Sequence, residues 1–96
     1  MSRALTALER FLSLTEEISR AAEAQEWDDL ARLGEERGLV LADLPADLEA
    51  HLSSTEYQRA RTIMERCKQL DDDTCARVED RQKLLRVLLR EPQAVN

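Results

Sequence analysis

The chain has 96 residues, 43% of them apolar and 35% charged, which fits one domain with a modest core and excludes both disorder and a second core. Only 2 Gly, 2 Pro and three aromatic residues (Phe11, Trp27, Tyr57) are present, so strands and turns are disfavoured and the core must come from Leu, Ala, Ile and Val. A net charge of −6 speaks against a general attraction to nucleic acid or to an anionic membrane.

The charge is unevenly spread. Residues 1–52 hold 12 acids against 5 arginines, whereas residues 53–96 hold 8 acids against 9 basic residues, so the front half is the acidic one. The N-terminal stretch leads straight into an amphipathic pattern, with no apolar run suited to export or membrane insertion, and the expected location is the cytoplasm.

The expected architecture is all-α, an antiparallel three-helix bundle made of a helical hairpin and one long C-terminal helix, as a single domain over 1–96. The first helix is expected over about 3–24. At 100° per residue, Ala4, Leu5, Ala7, Leu8, Phe11, Leu12, Leu14, Thr15, Ile18, Ala21 and Ala22 share an arc of roughly 200°, wide enough to contact two elements, one of which could be a partner.

The second helix is expected over about 27–44, opening at Trp27-Asp28-Asp29, where acids in the first turn suit the helix dipole. Leu30, Leu33, Val40, Leu41 and Leu44 form its stripe, with Leu30 near the middle. Gly34 and Gly38 each cost about 1 kcal/mol relative to Ala, so a stop at Arg37 with Gly38 as cap is an alternative. The persistence of the stripe favours continuation.

Pro45 punctuates the chain and suits the first position of a short helical turn containing Leu48 and Leu52. Ser53 and Glu56 have capping-box spacing and mark the start of a third helix, expected over about 54–90 and without a breaker before Pro92. Tyr57, Ala60, Ile63, Met64, Cys67, Leu70, Thr74, Val78, Leu84, Leu85, Leu88 and Leu89 keep one face along it, and Arg86 and Arg90 suit its C-terminal end. This helix is about 54 Å long against about 33 Å and 27 Å for the other two. The overhang then carries some or all of Val78, Leu84, Leu85, Leu88 and Leu89, an apolar cluster of the kind that marks an interface.

Catalytic chemistry has little to stand on. There is one His, His51, which reads as an ordinary surface or cap residue, and no Gly-rich turn. Cys67 and Cys75 lie about 12 Å apart on one helix, too far for a disulfide, and read as two reduced, partly buried thiols; with one His they lack zinc-site spacing. Asp71-Asp72-Asp73 lacks the alternation of a calcium loop and reads as a solvated turn, or a local cap where the helix bends. No metal, cofactor or enzymatic activity is expected.

Arg37 and Arg81 each fall inside an apolar arc. Either they form structural ion pairs, with Asp71 a candidate partner, or they meet a partner's carboxylates or carbonyls. Trp27 at the helix junction is either a core plug or a binding anchor.

Two segments carry a family resemblance. Ala22-x-x-Gln25-x-Trp27-Asp28-x-Leu30-x-x-Leu33, followed by Glu36-Arg37-x-x-x-Leu41-x-x-Leu44, resembles the hairpin of the FliT family of flagellar export chaperones. Leu70-Asp71-Asp72-x-x-x-x-Val78-x-x-Arg81-x-x-Leu84 is similar to the family's long third helix. The resemblance spans about residues 5–90. It implies a cytosolic chaperone that holds a flagellar export substrate, usually the filament-cap protein FliD, and contacts the export ATPase machinery and, in some bacteria, a flagellar transcription regulator. Such chains often carry a further C-terminal helix over the binding surface; this sequence ends shortly after Pro92, which puts that form of autoinhibition in doubt.

The expected binding residues are Val78, Arg81, Leu84, Leu85, Leu88, Leu89, Arg37 and Trp27, engaging an amphipathic helix in a groove. A homodimer or structural adaptor would use the same leucines on itself. A small helical enzyme of the chorismate mutase type would need more converging Arg and Lys than Arg37 and Arg81 supply.

Overall fold

The computed structural model describes residues 2–94, and their side chains as far as Leu89. Three α-helices run in an up-down-up order: α1 (Arg3–Glu23), α2 (Trp27–Asp43) and α3 (Ser54–Ala94), with a short 3-10 turn at Leu48–His51 before α3. No strand is present among the described residues. The expected all-α three-helix bundle is therefore the observed fold, but its centre is α1, against which both α2 and α3 pack.

That arrangement accounts for the wide apolar arc of α1. One side of it, Leu5 and Leu8, meets Ala60, Ile63 and Cys67 of α3, with Phe11, Leu12, Leu44, Leu48 and Leu52 around them. The other side, Leu14, Ile18 and Ala21, meets Leu33 of α2, with Leu30 and Val40 at its edge. Both surfaces of α1 are taken by the chain's own helices.

Each helix end has a local cause. Ser2 caps α1 by accepting the Leu5 amide at 3.1 Å. At its other end Gln25 takes φ 60°, the Glu26 amide donates to the Ala21 carbonyl at 2.8 Å and the Gln25 amide to that of Ala22 at 3.2 Å, the bond pair of a Schellman turn. Gln occupies the left-handed position that Gly fills at least cost. The second helix continues through Gly34 and Gly38, and a Cβ on either would meet open space. It ends at Leu44, whose ψ of 138° is the extended conformation imposed on a residue before proline.

Pro45 does not open the following turn, which instead starts after Asp47. The capping box at α3 is reciprocal: the Ser53 amide donates to Glu56 at 3.0 Å and the Glu56 amide to Ser53 Oγ at 3.2 Å. Glu56 also accepts the Ser2 amide at 2.9 Å, tying the starts of α1 and α3 together. These backbone donors, Ser53 first and then Ser2, hold the Glu56 carboxyl down at about 2.

Three expectations about faces are corrected. Leu41 is 57% exposed because α2 meets α1 through Leu30, Leu33, Arg37, Val40 and Leu44, so Arg37 takes a stripe position and Leu41 falls beside it. Leu33, rather than the half-buried Leu30, is the centre of that stripe. Tyr57 and Met64 on α3 are likewise exposed, because α1 is narrow enough to cover only the ridge of Ala60, Ile63, Cys67 and Leu70. Of the two thiols Cys67 is buried and Cys75 is exposed. Burial pushes the Cys67 thiol above its ordinary value.

The third helix is unbroken through Asp71-Asp72-Asp73 and continues past Pro92 to Ala94. The side chain of Arg90, expected to complement the helix C-terminus, lies outside the described residues. At about 1.5 Å per residue α3 spans roughly 60 Å, close to the 64 Å long axis of the molecule.

Candidate partner-binding site

The register of α3 against α1 fixes where the overhang begins. The two helices run parallel: Glu56 lies at Ser2, Arg59 Nε is 3.2 Å from Glu9 Oε1, and Arg77 Nη2 is 3.8 Å from Glu23 Oε1 at the last turn of α1. One turn further on, Arg81 stacks over Trp27, the first residue of α2, with Cζ 4.8 Å from the ring centroid. Beyond that level neither α1 nor α2 has any residues left, and α3 continues for about 20 Å.

The side chains there are uncovered. Leu84 is 59% exposed, Leu85 40%, Leu88 52% and Leu89 73%. Val87, which a strict stripe omits, is 62% exposed and extends the patch sideways. The patch grades into a cleft of about 400 Å³ at its base, lined among others by Trp27, Arg77, Arg81, Leu84 and Leu85. Val78 and Trp27 are half-buried at that base, where the bundle closes.

Arg37 is not part of this assembly. Its Nη1 donates to Asp71 Oδ1 at 2.7 Å and to Thr15 Oγ1 at 3.1 Å, while the guanidinium lies 5.1 Å from the Phe11 ring centroid. The Thr15 hydroxyl in turn donates a hydrogen bond to the Phe11 carbonyl at 2.8 Å. Three helices meet in this cluster, about 15 Å below Arg81 along α3. Of the eight residues singled out in the sequence, seven gather at or beyond the top of the bundle and Arg37 stands apart in its middle.

A second apolar area, at the opposite end, has no counterpart in the sequence reading. Leu8, Phe11, Leu41, Leu44, Pro45, Leu48 and Met64 surround a cleft of about 260 Å³ beneath the connector. The exposure of Leu41 and Met64 follows from the helix register corrected above, and no periodicity in the separate helices would have paired them.

Among the described residues no group of three or more potential metal ligands occurs, and no helix is long and apolar enough to cross a membrane. A family model described as "Flagellar protein FliT" matches residues 5–94. The chain belongs to the FliT family. No curated protein sequence and no solved structure matches it. Within this FliT-family chain the match covers all three helices, including the overhang through its last helical residue.

Proposed function

We propose that this FliT-family chain is a cytoplasmic type III flagellar export chaperone that holds a flagellar substrate, the FliD-like filament-cap protein, through an amphipathic client helix laid against the overhang of α3. It acts by binding and has no catalytic role. The observation that carries the proposal is the set of exposed leucines, Leu84, Leu85, Leu88 and Leu89, projecting beyond the end of the α1–α2 hairpin.

Val78, Arg81 and Trp27 frame the base of the proposed contact, and Arg37, paired with Asp71, lies outside it. A client helix covering about 600 Å² of apolar surface gains a gross term near 15 kcal/mol at about 25 cal/mol per Å², most of it offset by association entropy and ordering of the client. Affinities between micromolar and nanomolar follow. The proposal extends to contacts with the export ATPase complex and with a flagellar transcription regulator, both on family grounds alone.

A second reading uses the same observation: two copies joined through their leucine faces form a homodimer or structural adaptor. Co-purification of the tagged chain with the filament-cap protein of its flagellated host, combined with sedimentation of the chain alone, separates the two. Capture of the cap protein by monomeric chain supports the chaperone. A stable dimer that captures no cap protein contradicts it.

A further inference from the structure

Arg81 occupies the face of the overhang without being used up by the fold. It sits one turn before Leu84 and Leu85 on their own side of α3, positions i+3 and i+4. The residue is exposed, its guanidinium carbon lies over the Trp27 ring, and no hydrogen bond or ion pair joins it to another described residue. Asp80 and Glu23 line the same cleft, and Glu26, Asp28 and Asp29 an adjoining one, yet none of them comes within ion-pair distance of Arg81, and Glu23 is paired with Arg77. Arg37 shows the contrasting case, its donors filled by Asp71 and Thr15.

Along α3 from Arg81 onward the charge keeps one sign. Residues 81–90 contain Arg81, Lys83, Arg86 and Arg90 and no acid, in a chain whose net charge is −6. A wholly apolar partner laid over this face would bury the donor edge of a guanidinium with nothing to accept its protons, a costly arrangement. The contact with Trp27 holds the guanidinium at the base of the overhang and uses none of its N–H donors. A carboxylate fits such an edge in a two-bond contact.

Resting on the helix-in-groove reading above, we infer that the α3 overhang selects an amphipathic helix whose apolar stripe is interrupted by a carboxylate, and that Arg81, held by Trp27, reads it. An anionic membrane surface is the other acidic apolar partner a basic Leu-rich helix can meet, but an arginine in the middle of the apolar face opposes insertion of that face into lipid.

Trp27 is the only tryptophan, so its fluorescence reports occupancy of this site directly. Three synthetic Leu/Ala helices of about 18 residues, without tryptophan and identical except for Glu, Gln or Lys at the centre of the stripe, are titrated into the full chain. The Glu peptide binds about tenfold more tightly than the Gln peptide, and the Lys peptide most weakly. In Arg81→Gln the preference for Glu over Gln disappears while affinity for the Gln peptide is kept. Equal binding of the Glu and Gln peptides by the wild type, or a preference retained in Arg81→Gln, overturns the inference and leaves leucine-face capture standing. If no peptide binds, the helix-in-groove reading falls as well. Binding to phosphatidylglycerol vesicles in preference to every peptide overturns both in favour of a lipid surface.

Discussion

Arg37 and Arg81 are written alike in the sequence, each a lone cation inside an apolar arc, and the fold treats them in opposite ways. Around Arg37 three helices converge, and the side chain is pinned by Asp71, Thr15 and the Phe11 ring. Around Arg81 one helix meets the start of another, and the side chain lies over the Trp27 ring with no hydrogen bond or ion pair to another described residue. The difference comes from helix length: α1 and α2 have 21 and 17 residues against 41 in α3, so the bundle closes around the lower part of α3 and leaves the upper part bare. Below that level the side chains pack against one another, and above it the leucines are exposed.

The sharpest way to break this division is to disturb the closed part. Ile63 is fully buried between α1 and α3, and Ile63→Asp puts an unpaired carboxylate there. That substitution is expected to unfold the chain, a loss above about 4 kcal/mol, seen as absence of a cooperative melt by circular dichroism. Retention of a wild-type melt would place the core elsewhere.

The two arginines allow a matched comparison. Arg37→Met leaves the buried Thr15 hydroxyl without its donor and the Asp71 carboxylate without its partner, and is expected to cost about 1–2 kcal/mol after allowance for the partial exposure of the pair. Arg81→Met removes only an exposed cation–π contact, about 0.5 kcal/mol. Urea midpoints measured side by side check the ranking. Equal costs would erase the distinction between the two regions.

A smaller effect tests the closed end through pH. The Glu56 carboxyl is lowered in the folded state from 4.5 to about 2, so its contribution is complete above pH 4.5 and is lost as pH falls from there toward about 2. Glu56→Gln is expected to flatten the pH dependence of stability in that window and leave the neutral-pH slope unaltered. An unchanged acid limb in the variant would mean that the Ser2 and Ser53 amides do not hold the carboxylate in solution.

Much of the fold was legible residue by residue. The capping-box spacing of Ser53 and Glu56 located the start of α3, the stripe carried α2 across two glycines, and the excess length of α3 followed from counting. Pairing between helices was less so, because periodicity defines a face without naming what covers it. The wide arc of α1 admitted a partner as one of its two neighbours, whereas both turned out to be internal. Leu41 was placed on the stripe because it is apolar; the position belongs to Arg37, whose Asp71 partner is 34 residues away in sequence. The left-handed Gln25 was invisible because composition points to Gly or Asn there. At the candidate site the leucines of the overhang were readable, while Val87 was not, and the stacking of Arg81 on Trp27 depends on a register between helices that no single stripe encodes.

The most direct test of the account removes two leucines from the overhang. Titration of the filament-cap protein into the Leu85→Ser, Leu89→Ser double variant is expected to show capture weakened by about 2 kcal/mol or more, with the melting temperature nearly unmoved, because each leucine is worth about 1.5–3 kcal/mol once covered and little while exposed. Normal capture by the double variant would make the overhang idle surface, and outright unfolding would make it part of the core; either result contradicts the division between a closed bundle that folds and an open helix that binds.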